Sequence, residues 1–387
     1  MTSPFRLAPR TVLAGAITLA LSLPAAAQQP TRIEDPTAPL REAAKTAQRN
    51  DLLALYRLAL DYDSQWAAAR AQYQATLERE PQARSTLLPN VNLNGRVNQY
   101  TYDISPGDAN NSFGDYGGGL SLSVPVYRPQ NLELLEQARL QVMQAESVLA
   151  QARQDLALRV ATAYFNVLAA KDEVEALEVQ KEATLQQLAQ AKREFEVGTK
   201  TIVDANEAQA RYDQIVAQLQ VAVGTLVIRR SELTAIVGRD PQVLAALDDS
   251  PKLALPQPNE IGNWVQSAES ANFGVQIARA SSEIATREIQ RAKDGYKPTV
   301  DLVAAYNINR FNGTQTTESS FRTNTGNIGL QLTMPLYTGG LTQSRVREAV
   351  ALQDKSLSDL ETARRSAANA ARASFTGVNF GLAEVQA

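Results

Sequence analysis

Gly119-Leu-Ser-Leu-Ser-Val-Pro-Val-Tyr127 recurs later in the chain as Gly329-Leu-Gln-Leu-Thr-Met-Pro-Leu-Tyr337. Each copy alternates apolar and polar residues, closes on a proline and a tyrosine, and runs into a long alanine-rich stretch. The match extends outward. Leu88-Pro89-Asn90-Val91 answers Lys297-Pro298-Thr299-Val300, and Arg70-Ala71 answers Arg279-Ala280. Beyond the tyrosines a one-residue shift aligns Ala152-Arg153 with Ala363-Arg364, and Tyr164 with Phe375. A chain that repeats itself over this length is built from one duplicated unit, in which strands feed long helices.

Four segments carry the alternation. Val91, Leu93 and Val97 oppose Asn92, Asn94, Arg96 and Asn98; Leu120, Leu122, Val124 and Val126 oppose Gly119, Ser121 and Ser123. Val300, Leu302, Ala304, Tyr306 and Ile308 oppose Asp301, Asn307 and Asn309; Ile328, Leu330, Leu332, Met334 and Leu336 oppose Gly329, Gln331 and Thr333. Period two with one apolar face means a strand between an apolar and a polar medium. Runs of about nine to eleven residues suit a tilted membrane strand. Tyr100, Tyr102, Tyr127, Tyr306 and Tyr337 lie near the run ends, where interfacial aromatics belong. A soluble sandwich with one wet face fits the same alternation. The polar stretches Asp103 to Asp115 and Asn312 to Gly326 read as hairpin loops. Four strands cannot close a barrel, and an open sheet in lipid leaves unpaired edges. Membrane strands would therefore require several chains to share one barrel.

From Asn131 to Val197 there is neither glycine nor proline. A helix of that length reaches about 100 Å. Val142, Ala145, Leu149, Ala152, Leu156, Val160, Ala163 and Val167 recur at seam spacing. A second helix pattern, about Ile202 to Val237, carries Ala205, Ala208, Tyr212, Ile215, Leu219 and Ala222. Gly198-Thr199 separates the two, so they form an antiparallel hairpin with its tip at Val197 to Lys200. Asp204 lies where a carboxylate caps the returning helix. Shorter helical regions, about Leu40 to Arg79 and Glu260 to Lys293, precede the two strand pairs.

Arg6 and Arg10, an apolar run to Leu23, and Ala25-Ala26-Ala27 read as an export signal over residues 1–27. No later stretch is apolar over eighteen residues. With no cysteine there are no disulfides, and with no histidine the commonest general base and metal ligand is missing. A formal charge of −3 argues against a nucleic-acid partner. No nucleophile–base pair, phosphate loop, cofactor motif or metal spacing is present, so an enzyme is not the reading. Gly117-Gly-Gly119 lacks the following helix start of a phosphate cradle.

Together, Val-Pro-Val-Tyr127 feeding a long helix, Phe195-Glu-Val-Gly-Thr199, Asp204-Ala-Asn-Glu-Ala208 and the twofold layout resemble the TolC family of outer-membrane channel proteins. The resemblance implies a mainly α fold of long antiparallel coiled-coil hairpins. It implies four strands per chain, contributed to a twelve-stranded barrel shared by a homotrimer. The function implied is the exit duct of a tripartite efflux or type I secretion system, working with a periplasmic adaptor protein and an inner-membrane pump. By position, Val197, Gly198 and Thr199 match the adaptor-docking tip, and Asp204 matches an aspartate that helps to close it. Pro125, Tyr127, Pro335 and Tyr337 mark the strand–helix junctions; the two tyrosines are equally read as plain interfacial packing, and Asp204 as a cap alone.

The expected organisation is a first repeat over 28–248, with strand hairpin 90–127 and helical hairpin 131–237. A proline-rich connector follows over 249–258, then a second repeat over 259–387 with strand hairpin 299–337. Counterparts of roughly Leu177 to Gly238 are missing from the second repeat, which reads as a fragment of a longer chain or a truncated, non-assembling product. The competing function is a soluble periplasmic coiled-coil adaptor.

Overall fold

The computed structural model describes residues 50–104, 109–241, 244–247, 254–313 and 319–386. The export signal read at 1–27 lies outside them, as do residues 249–253 of the connector. Arg49–Ala387 forms one compact unit, so the two repeats interleave instead of folding apart.

Three short helices open the described chain: α1 (Leu52–Tyr62), α2 (Ser64–Leu77) and α3 (Arg79–Ser85). Strands β1 (Asn90–Ile104) and β2 (Ala109–Tyr127) follow, then α4 (Pro129–Glu196) and α5 (Ile202–Val237). The second half supplies α6 (Ile261–Ala271), α7 (Phe273–Lys293), β3 (Thr299–Phe311), β4 (Phe321–Thr333) and α8 (Leu341–Gln386). The two expected leading helices are thus broken. Asp63 stops α1 and caps α2, accepting from the Trp66 N–H at 2.7 Å. Asn272 does the same between α6 and α7, accepting from the Gly274 N–H at 2.8 Å. A side-chain acceptor that satisfies a free N–H starts a new helix in a new direction without glycine or proline.

The strands form one antiparallel sheet in the order β1-β2-β3-β4. Residues expected to form the first hairpin loop are largely paired, since the ladder runs on to Ile104↔Ala109. At 15, 19, 13 and 13 residues, the strands exceed the expected nine to eleven. The β2–β3 pairing joins the two repeats, leaving β1 and β4 as unpaired edges among the described residues. Register confirms the alternation rung by rung: Val91, Leu122, Ala304 and Ile328 share one face, as do Leu93, Leu120 and Tyr306. That face is open to its surroundings, with Leu93 at 84 % exposure.

α4 is 68 residues long, a rod of about 102 Å. Pro129 starts it, two residues before the expected Asn131, because the first helical position needs no N–H. α1 and α5 pack against its middle. Leu55, Ala59, Leu156, Val160, Ala163, Tyr164, Val167, Leu233 and Val237 form the larger core. Burying each large aliphatic side chain stabilises by about 1.5–3 kcal/mol. The pair of Arg159 with Asp63, two contacts of 2.9 Å each, ties the α1–α2 corner to α4. Burial works to raise the Asp63 pKa, but the Arg159 guanidinium and the Trp66 N–H outweigh it and hold the carboxyl below its ordinary value. The second core, Val275, Leu360 and Ala367, joins α7 to α8 and is smaller.

Candidate functional site

The helical hairpin reverses over Val197–Thr201. Val197 donates to the Arg193 carbonyl at 3.1 Å, and Gly198 to Phe195 at 2.9 Å. The Glu194 carbonyl then accepts from Thr199 N–H and Oγ, both at 2.9 Å. Gly198 adopts φ +78, and a side chain there would meet open space. Its requirement is therefore backbone conformation and not room.

Asp204 accepts from the N–H of Thr201 at 2.8 Å and from its hydroxyl at 2.7 Å. These bonds hold its carboxyl below the ordinary value. Lys200 lies 3.0 Å from Glu194; bonds from Gln190 and then Lys200 lower the Glu194 pKa, while Glu194 raises that of Lys200. The tip is thus a set of local bonds that satisfy both helix ends. Within this chain Asp204 works as a cap.

Around these bonds the tip is apolar and open. Phe195, Val197, Ile202 and Val203 are all exposed. Val197 is among the residues expected at the tip; Ile202 enters the sequence reading only as the start of the returning helix, and Val203 not at all. Ile202 keeps three-residue spacing with Ala205, so only the adjacent Val203 stands outside the seam pattern.

At the first strand–helix junction the ladder slips between Pro125 and Tyr127, opposite Asp301 and Val300. Such a bulge bends the strand and redirects the chain. Arg128 then grips Asp301 with two contacts of 2.7 Å. Neither residue was singled out from sequence. The second junction departs from expectation. β4 stops at Thr333, so Pro335 and Tyr337 lie beyond it in irregular chain, with Tyr337 at 89 % exposure. Gly339 and Gly340, both at positive φ, follow where the first copy has Arg128 and Pro129.

The sheet's polar face carries Asn92, Asn94, Ser121, Asn307 and Asn309. Side chains at Gly117 or Gly119 would collide with Asn309 or Asn307, so that glycine run makes room for an amide row. Arg96 contacts buried Asp115 at 3.1 Å and Asn309 at 3.2 Å on the same face. Tyr100 belongs to this face too, ringed with Phe113 at 5.1 Å, while Phe311 stacks on Phe321 at 5.0 Å. No grouping of acidic residues able to hold a metal occurs among the described residues. No described helix is long and apolar enough to cross a membrane.

A sheet apolar on one face and polar on the other, joined to rods this long, defines a membrane-anchored conduit component. The sequence matches the family described as "Outer membrane efflux protein" over residues 55–239 and 264–387, and the chain belongs to that family. It is 32 % identical over 338 residues to the outer membrane protein TolC of Vibrio cholerae, covering 87 % of this chain and 76 % of that relative. It is 26 % identical to the alkaline protease secretion protein AprF of Pseudomonas aeruginosa, covering 88 % and 73 %. The fold is shared with the outer-membrane channel OprN at TM-score 0.69 and 16 % identity, over 87 % of this chain and 75 % of that one. The protein is an outer-membrane channel of the efflux and secretion type, with helices extending into the periplasm. The soluble-adaptor alternative is set aside. The family is one of channels, not of enzymes.

Proposed function

We propose that this chain forms a homotrimer in which three four-stranded sheets close one barrel and the long hairpins continue it as a periplasmic tunnel. The observation that carries this is the sheet itself: an apolar face, a polar face and two open edges. Each unpaired edge group in lipid costs several kcal/mol, so neighbouring sheets must supply partners for β1 and β4. The Asn and Ser face then lines a water-filled path, and transport through it is passive.

The exposed tip, Val197 to Thr199 with Ile202 and Val203, is the proposed docking surface for a periplasmic adaptor bound to an inner-membrane pump. Asp204 is the proposed closure residue. Both Thr201 bonds fall on one of its carboxylate oxygens, and the other is the proposed acceptor for a neighbouring hairpin. Membership of the efflux-protein family and similarity to the secretion protein AprF support efflux and protein secretion alike as cargo routes.

The test is reconstitution. The purified protein is expected to migrate as a heat-modifiable trimer and to give discrete conductance steps in planar bilayers. A monomer without conductance overturns the reading.

A further inference from the structure

Over the middle span of the sheet, charge on the lipid-facing side is confined to one rung. Along Val91–Gln99, Gly114–Val124, Val300–Arg310 and Arg322–Leu332, that face carries only two charged residues, Arg310 and Arg322. They are direct cross-strand partners on β3 and β4. Like charges directly opposite each other destabilise a ladder unless something neutralises them. Both are exposed, and among the described residues Arg322 bonds only a neighbouring amide, Asn324, at 3.1 Å. Arg96, on the other face, has Asp115 instead.

The rung's depth is informative. From Val300 to Ile308 the apolar face of β3 extends roughly 27 Å along the strand, about 21 Å of membrane height at the usual tilt. Arg310 is the next residue on that face, toward the hairpin end and away from the helices. The two guanidinium groups therefore lie at headgroup level of the outer leaflet.

Beside them the sheet is bare. Gly95 pairs with Gly118 one rung nearer the membrane centre. Over Gly118 lies an open groove of about 480 Å³, lined by Leu93, Leu120, Tyr116 and Tyr306 and reaching Arg310 and Arg322. A second recess of about 330 Å³ adjoins it at Tyr116 and includes Gly95. An apolar trough that ends in two unpaired guanidinium groups matches an acyl chain joined to a phosphate. Guanidinium is the group best shaped to bind phosphate through paired N–H donors.

We propose that this groove binds lipid A, the phosphorylated and acylated anchor of lipopolysaccharide, with one acyl chain over Gly95–Gly118 and a phosphate between Arg310 and Arg322. The proposal rests on the outer-membrane placement of the sheet. It makes the channel's outer rim a specific lipid site, not merely a basic girdle.

Native mass spectrometry of the detergent-purified protein tests it, by titration with lipid A, dephosphorylated lipid A and phosphatidylglycerol. One lipid A per chain is expected to be retained at least tenfold more tightly than either other lipid. The double variant Arg310→Gln/Arg322→Gln is expected to lose that preference. Gly95→Leu fills the adjoining recess without removing either arginine, since a Cβ there meets nothing nearer than 3.9 Å, and is expected to weaken lipid A binding several-fold. Bilayer conductance of both variants is expected to match the parent, which separates failure here from failure of the channel reading. Equal binding of phosphatidylglycerol to the unmodified protein, or retention of lipid A within twofold by both variants, overturns the proposal.

Discussion

Asp63 and Asn272 occupy the same place in the two repeats, and so do Arg159 and Ala370. Both acceptors cap a helix, at 2.7 and 2.8 Å. Only the first is also buried, at 4 % exposure, and gripped by a guanidinium. The junctions differ in the same way. Arg128 and Pro129 in the first repeat hold Asp301 and start α4, while the second offers Thr338, Gly339 and Gly340 with Tyr337 uncovered. The first half carries the larger core; α6 in the second buries no residue at all. Duplication kept the caps and the turns, which are local, and let the long-range ion pairs survive in one copy only. The first repeat is bolted to itself and to β3. The second repeat has the smaller core and leaves α6 unburied.

Removing a bolt should cost more than removing its counterpart. Arg159→Ala strands a buried carboxylate and is expected to destabilise by about 3 kcal/mol, read as a shifted urea midpoint by circular dichroism in detergent. Asn272→Ala, the cap without a bolt, should cost about 1 kcal/mol. If the two are equal, the asymmetry carries no energy. The pair is also pH-dependent. The Asp63 pKa is lowered in the folded protein, so its contribution is complete above the unfolded value of about 3.9 and disappears as pH falls through the lower folded value. Acid unfolding of Asp63→Asn is expected to start from lower stability and show a shallower slope below pH about 4.

At the junctions, Arg128→Ala is expected to cost about 2 kcal/mol, discounted for the exposure of the arginine. Thr338→Ala, which removes only local contacts with Thr342, at 3.3 Å to its N–H and 3.1 Å to its hydroxyl, should remain within about 0.5 kcal/mol. Parallel melts of the heat-modifiable form check both. Between them falls Gly198→Ala at the tip, about 1 kcal/mol from its positive φ. Its effect should show in adaptor capture before global unfolding, because the tip is bonded only to itself.

Strand faces and helix lengths were legible because both depend on spacing along the chain. Leu120, Leu122 and Val124 alternate whatever their neighbour is, and the run from Asn131 offers no residue that breaks a helix. The pairing of β2 with β3 was not legible, since period two reports a face and not a partner. The pairing of Arg128 with Asp301 was not legible for the same reason, the two being 173 residues apart. Tyr337, whose motif copies that of Tyr127, lies between strand and helix but off the ladder, and the deciding difference lies just after it. Gly339-Gly340 in place of Arg128-Pro129 removes both the grip on the sheet and the fixed helix start, and one extra residue there accounts for the shift between the copies. At the candidate tip, the turn was readable from Gly198. The apolar surface of Ile202 and Val203 was not, because exposure depends on where the partner helix ends.

α4 also acts as a lever arm. It has no hinge between Pro129 and Glu196, and its root is the bend at Arg128. Over about 102 Å, each degree of pivot at the root carries the far end ~1.8 Å sideways. A disturbance too small to break one hydrogen bond in the barrel wall is thus magnified into a displacement that a docked protein would feel.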